Sequence, residues 1–229
     1  DYFLSFSADS KIKFSIKDDF PFKLSIPGSF NRYNALPAII IGHYLDMKDE
    51  AIAQGLLNLT VIPGRMEKID EGQDFLVYVD YAHEKQSITH VLNAGREMTN
   101  DGKVIILLGA EGGGRDKAKR AHMGELAGKM ADYLICSNVD PYEDDPTPIV
   151  EDIAVVAEKF GKVRGKDLFV IEDRRLGIRK TLELAQAGDV VLITGKGSEQ
   201  SMILPTGTIP WDDRKVVREL LKSETNPSV

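Results

Sequence analysis

Two glycine-bearing segments combine residue types that can do chemistry. In Gly109-Ala110-Glu111-Gly112-Gly113-Gly114-Arg115-Asp116, three successive glycines precede a basic stretch with Lys117, Lys119 and Arg120. Glycines ahead of a helix bare backbone N–H groups that suit an anion, and an arginine beside them offers carboxylate or phosphate a two-pronged partner. Glu111 stands where the dinucleotide fingerprint needs its second glycine, and the next strand ends in Ser137-Asn138 without a ribose-binding acid. This argues against a nicotinamide-dependent dehydrogenase. Lys117 and Lys119 read as a solvated helix face. The second segment is Thr194-Gly195-Lys196-Gly197-Ser198-Glu199. It has the look of a phosphate loop, but Lys196 is followed by Gly197 and the leading glycine is absent, so it is not a Walker sequence. A turn presenting one lysine and one glutamate suits an amino-acid substrate instead, with Glu199 pairing with its ammonium group.

Two further segments carry polar chemistry. Asp80-Tyr81-Ala82-His83 offers a carboxylate for ribose hydroxyls or a cation, and a histidine that either donates to phosphate or caps the following helix. In Asp140-Pro141-Tyr142-Glu143-Asp144-Asp145-Pro146, clustered acids select a cationic ligand or favour a helix N-terminus, and Glu143 to Asp145 are assigned mainly to the second role. The single Cys136 lies in an apolar segment and reads as a core thiol, since one cysteine forms neither an intramolecular disulfide nor a multi-cysteine zinc site.

The elements that must hold these segments follow from periodicity. Short bursts of period two at 2–6, 12–16 and 22–26 predict a small antiparallel meander. Helical spacing follows at about 31–45 and 49–58, and Pro63-Gly64 breaks the chain before a domain boundary near 67–72. Apolar strands then recur at 75–79, 103–108, 132–136, 168–171 and 189–193, with amphipathic helices between them: Ile149, Ile153 and Val156 share one face, as do Ile178, Leu182 and Ala185. Asp212 can cap a last helix whose apolar positions are Val216, Val217, Leu220 and Leu221. Strand–helix alternation of this kind predicts an α/β fold: a Rossmann-like, mostly parallel sheet with helices on both faces. Working loops in such sheets lie at the carboxyl ends of the strands, which is where the segments above fall.

Composition sets the outer bounds. The 229 residues suffice for one large or two modest domains, and 42% apolar with 28% charged residues is too apolar for disorder. The formal net charge of −7 disfavours nucleic acid as a partner. Apolar runs such as Val104 to Leu108 are too short to cross a bilayer, and no signal peptide is evident, so the expected location is cytoplasmic. Because the chain opens on Asp1 and not Met, it is expected to be part of a longer one.

Taken in order, these segments cease to look independent. Gly28-Ser29-Phe30-Asn31-Arg32-Tyr33-Asn34-Ala35, Pro63-Gly64-Arg65-Met66-Glu67, Asp80-Tyr81-Ala82-His83, the glycine stretch with Arg115-Asp116 and Lys119-Arg120, the Asp140-Pro141 loop with Pro146, Asp173-Arg174, and Gly195-Lys196-Gly197 with Glu199 resemble the Mur ligases. Within that family the branch that synthesises the muramoyl tripeptide is most similar, and the resemblance runs over residues 26–222.

The resemblance implies an ATP-dependent ligase of peptidoglycan precursor synthesis. Such an enzyme transfers the γ-phosphate to a D-glutamate carboxylate, and a diamino acid attacks the resulting acyl phosphate. Its substrates are a UDP-linked muramoyl dipeptide and a diamino acid, with ATP and Mg2+ used by the full-length parent. By the same resemblance Asn31 and Asn34 are adenine-side residues, Arg65 faces the nucleotide phosphates, Asp80 contacts ribose, and His83 belongs to the ATP site. Arg115 grips the incoming amino acid's carboxylate, Gly195 and Glu199 hold its far end, and Asp140 and Tyr142 lie in the selectivity loop. Residues 1–68 are then the tail of the central ATP-binding domain and 69–229 the complete third domain.

Departures from the family pattern shape the expectation. Diaminopimelate-adding members show Asp-Asn-Pro-Arg where this chain has Val139-Asp140-Pro141-Tyr142, which leans toward lysine or another diamine. Ser198 replaces a histidine, and Glu84-Lys85 replaces Thr-Pro. The chain has no Gly-Thr-x-Gly-Lys-Thr loop, and by the resemblance it lacks the family's magnesium ligands and carbamylated lysine. No complete catalytic set, no metal site and no tightly held cofactor are therefore expected of these residues alone. The competing expectations are a folylpolyglutamate or cyanophycin synthetase-like ligase, and a non-catalytic ligand-binding module derived from one.

Overall fold

The computed structural model describes residues 21–99 and 101–225, and the chain divides between Thr60 and Val61 into two units. The expected domain boundary after residue 68 lies a little beyond this division. Gly64 and Met66 already bond within the second unit: Gly64 N donates to Glu67 and Met66 N to Asp80.

The first unit holds two helices, α1 (Asn31–Tyr44) and α2 (Asp49–Asn58). Asp49 and Glu50 occupy the first turn of α2, where carboxylates favour the helix dipole. Ala35 and Ile39 of α1 pack on Ile52 of α2, with Phe22, Leu24 and Leu56 against them. Of the expected meander, the bursts at 2–6 and 12–16 lie outside the described residues. The third, Phe22 to Ile26, is not a strand: Phe22 and Leu24 pack on the helix pair instead.

The second unit is built on a six-stranded sheet: β1 (Glu67–Ile69), β2 (Leu76–Asp80), β3 (Val104–Leu108), β4 (Tyr133–Cys136), β5 (Leu168–Val170) and β6 (Val190–Thr194). The spatial order is β1-β2-β6-β3-β4-β5, parallel from β2 onward, with β1 antiparallel to β2. The last parallel strand in sequence thus inserts between the first two, and both β3 and β6 are wholly buried. Fully buried parallel strands read as continuous apolar runs, which is why they were legible.

Side chains alternate across the sheet. Val77, Val79, Ile105, Leu107, Ile135, Val191 and Ile193 face α6 (Arg174–Glu183) and α7 (Asp213–Thr225), through Ile178, Leu182, Val217 and Leu220. On the other face, α3 (Lys85–Met98) approaches so closely that a Cβ on Gly95 would meet Leu192 and Val104. Two more helices, α4 (Ala118–Met130) and α5 (Pro146–Lys159), complete the α/β architecture. A hairpin of β7 (Ser201–Leu204) and β8 (Gly207–Pro210) follows β6. Neither this hairpin nor β1 was anticipated. Each strand is three or four residues long, too short for a period-two pattern to declare itself.

Candidate functional site

The segments singled out from sequence converge at the carboxyl ends of the parallel strands. A cavity of about 310 Å³ is lined there by Tyr81, His83 and Glu84 after β2, and by Glu111, Arg115, Asp116 and Lys119 after β3. Asp140 and Tyr142 after β4 and Glu199 after β6 complete the lining. Four strand exits therefore meet in one concavity, as expected where strand order changes direction.

The loops are held in place by identifiable contacts. Arg174 is entirely buried: its guanidinium grips Asp213 at 2.9 and 2.7 Å and donates to the carbonyls of Asn138 and Thr194. One side chain thus ties the exits of β4 and β6 to the start of α7. Lys196 is buried too, with its ammonium on both Asp140 oxygens and on Glu199 at 2.6 Å. Asp140 also accepts from Ile203 N in the hairpin. Glu199, expected to face a ligand's ammonium, has an ammonium of its own chain as its partner.

The glycine stretch is pinned as well. Gly113 N donates to Asp144, so Asp144 braces this loop, while Asp145 is the residue that caps α5. Tyr142 has a left-handed backbone (φ 55), and its ring fills the space a Cβ on Gly113 would take. Its hydroxyl accepts from Arg115 at 3.4 Å. Among the described residues, no carboxylate lies within ion-pair distance of Arg115, and its side chain is part of the cavity lining.

Lys119 corrects the sequence reading. It is buried and not solvated, paired with Glu111 and, at 3.5 Å, with Glu84. Burial is the largest single influence on the Glu111 carboxyl and would raise it, but the Lys119 ammonium, its own backbone N–H and the His83 charge together outweigh it and the net direction is down. The apolar spacing of α4 is weak, so its inward face could not be told from its outward one. The cavity wall carries five carboxylates, of which Lys119 engages Glu84 and Glu111 and the buried Lys196 engages Asp140 and Glu199.

His83 does not cap α3. Glu84 and Ser87 form a reciprocal capping box there, and His83 Nδ1 instead lies 2.7 Å from the Tyr81 carbonyl. Arg65 lies 4.4 Å over the Tyr81 ring, exposed and without a carboxylate partner among the described residues. Asp80 is buried, and its oxygens accept from Met66 N and Ala82 N, both at 2.7 Å. Desolvation pushes its carboxyl upward despite these bonds. Gly195 does not line the cavity; its N–H bonds the Asp80 carbonyl behind it. In the first unit Asn31 is buried and Asn34 exposed, and the two side chains bond each other at 2.8 Å. Cys136 is buried, and desolvation pushes its thiol far up.

Among the described residues no group of three or more His, Cys, Asp or Glu side chains is arranged to hold a metal ion, and no helix is long and apolar enough to cross a membrane.

The model for "Mur ligase, glutamate ligase domain" matches residues 64–197. The 2,6-diaminopimelate ligase of UDP-N-acetylmuramoyl-L-alanyl-D-glutamate from Caldanaerobacter subterraneus subsp. tengcongensis is 40% identical over 198 residues, 86% of this chain and 40% of that protein. The UDP-N-acetylmuramyl-tripeptide synthetase of a Roseiflexus species is 38% identical over 87% of this chain and 39% of its own length. A solved structure of a UDP-N-acetylmuramoyl-L-alanyl-D-glutamate–2,6-diaminopimelate ligase superposes with a TM-score of 0.65 at 30% identity, over 90% of this chain and 41% of that one. The chain thus spans about 40% of the length of these relatives.

Proposed function

The chain belongs to the Mur ligase family, and from that premise we propose that it is the amino-acid-binding part of a ligase that joins a diamino acid to UDP-N-acetylmuramoyl-L-alanyl-D-glutamate. One observation carries this reading: Arg115 and Glu199, from the exits of β3 and β6, line one cavity, and Arg115 has no carboxylate partner there among the described residues. A guanidinium in that position takes a carboxylate in two-pronged fashion, while Glu199, paired with Lys196 yet partly exposed, is assigned to the ammonium at the ligand's far end.

In the proposed reaction the γ-phosphoryl group passes to the D-glutamate carboxylate and ADP leaves. The neutral amine of the diamino acid then attacks the acyl carbon, a tetrahedral intermediate forms, and phosphate departs as the amide is made. This chain's contribution is to hold the nucleophile in line and to screen the acyl phosphate from water. Toward ATP, the proposed roles are adenine contact for Asn31 and Asn34, phosphate contact for Arg65, and ribose contact for Asp80, with His83 beside them. The exposed, carboxylate-free guanidinium of Arg65 fits that role. Mg2+ ligands are assigned to the parent protein outside these residues. In this reading residues 1–68 close the central ATP-binding domain, and 69–229 form the third domain.

Lysine is favoured over meso-diaminopimelate. Lys119 is already engaged by Glu111, so one guanidinium remains for one carboxylate, and Tyr142 stands where diaminopimelate-adding members carry arginine. The Caldanaerobacter relative is named for 2,6-diaminopimelate, which makes the comparison decisive. The full-length protein is assayed with ATP, the UDP-linked dipeptide and either amino acid, following phosphate release and product mass. A product heavier by one diamino-acid residue supports the ligase reading, and no such product overturns it. Preference for meso-diaminopimelate overturns the choice of lysine alone.

A further inference from the structure

A second cavity, of about 360 Å³, opens against the β7–β8 hairpin beside the exits of β4 and β5, and it shares no lining residue with the first. Its apolar lining includes Met202 and Leu204 of β7, Ile209 of β8 and Trp211, whose indole N–H is taken by Asp213 at 2.8 Å. Between Met202 and Leu204, the Ile203 backbone bonds Asp140 and Tyr142 of the other cavity, so one strand closes both. Asn138 lines the second cavity and is 7% exposed. Its backbone groups bond the Glu172 carbonyl and Arg174, but its side-chain amide has no hydrogen-bond partner among the described residues. A buried amide left unpaired is costly and uncommon, and a ligand in the cavity would satisfy it. Glu172 and Asp173 add negative charge to the lining. Each has one oxygen engaged, by the Thr147 hydroxyl and by Leu176 N, and neither has an ion-pair partner among the described residues. Arg174, the cation in the lining, is spent on Asp213 and on the carbonyls of Asn138 and Thr194.

We propose that this cavity is a second ligand site and that it takes an apolar amine. The ligand's aromatic or hydrocarbon body lies against Trp211 and Leu204, and its ammonium donates to the Asn138 amide oxygen, Glu172 and Asp173. An ammonium has three donors and no acceptor, which matches these three acceptors. Phosphates and carboxylates are excluded, because two unpaired carboxylates repel them and no free cation is there to hold them. The size and the apolar lining with a few polar groups are those of a small-molecule site. The proposal does not depend on the ligase reading.

The probe is tryptamine, titrated by calorimetry into the full-length protein, with indoleacetate as the same ring carrying the opposite charge. Tryptamine is expected to bind saturably, and indoleacetate about tenfold more weakly or not at all. Glu172→Gln keeps an oxygen for Thr147 and removes the charge, and Asn138→Leu removes the amide at nearly constant volume. Each is expected to weaken tryptamine about tenfold, as for loss of one hydrogen bond to a charged group. Glu199→Gln, which alters only the first cavity, is expected to leave tryptamine binding unchanged. Thermal unfolding checks that each variant folds; should the buried Asn138→Leu fail to, the exposed Glu172→Gln carries the test. No saturable tryptamine binding, equal binding of indoleacetate, or full binding in Glu172→Gln overturns the proposal. Weakening by Glu199→Gln as large as that by Glu172→Gln overturns it too, since the amine would then sit in the first cavity.

Discussion

The Lys196 ammonium, 1% exposed as a residue, donates to both carboxylate oxygens of Asp140 at 2.8 and 3.0 Å, joining loops 56 residues apart in the chain. With Glu199 as its third partner, it holds two of the cavity's carboxylates in one wall. Removing one member of a buried pair strands the other charge, whereas removing both does not. Lys196→Met is therefore expected to cost about 3 kcal/mol in urea unfolding, and Lys196→Met with Asp140→Asn to cost less than Lys196→Met alone. A double variant at least as unstable as the single one would contradict this account.

Arg115 offers the cavity its charge, while Arg65 lies outside the cavity wall. Under the proposed ligase reading, Arg115→Ala in the full-length protein is expected to raise the KM of the diamino acid tenfold or more, in the range of one charge-assisted contact, and to leave that of ATP nearly unchanged. Equal losses for both ligands would remove Arg115 from its assigned role.

Gly64 has φ +64, and any side chain there meets the Ser198 and Gly197 backbone. Gly72 has φ +94, but a Cβ there meets nothing within 4 Å. Gly64→Ala carries conformational strain plus a clash that neither backbone can yield to, and Gly72→Ala carries the strain alone. Expected losses are about 3 kcal/mol or more and roughly 1 to 2 kcal/mol respectively. Urea midpoints of the two variants test the ranking, and similar values would show that the two turns are not in contact.

Glu111 is held below its ordinary value of 4.5: burial, the largest single influence, raises it, but Lys119, a backbone N–H and the His83 charge together outweigh it. A depressed carboxyl contributes stability that is fully present above the unfolded value and is lost as pH falls through the folded one. The stability difference between wild type and Glu111→Gln is thus expected to be largest near neutrality and to shrink below pH 4.5. Unfolding free energies measured from pH 7 down to pH 3 give the check; a difference that grows toward acid would reverse the assigned direction.

Much of this architecture was legible because its signals are local. Five parallel strands announce themselves as buried apolar runs, the loops that follow them carry the glycines and charges, and Asp145 and Asp173 cap their helices through bonds to N–H groups two and three residues on. Residue type and spacing also put Arg115 and Glu199 at strand exits. What each charge pairs with was decided by strand order. β6 inserts between β2 and β3, which brings Lys196 to Asp140 and Glu199 to the cavity that Arg115 also lines. Lys119 turned inward and Glu84 took the cap from His83 because a partner distant in sequence, or a better-placed neighbour, outcompeted the local reading. Periodicity is a property of a few adjacent residues and survives in the sequence alone. The pairing of ions across 35 or 56 residues exists only once crossovers have closed the sheet and excluded water from between them.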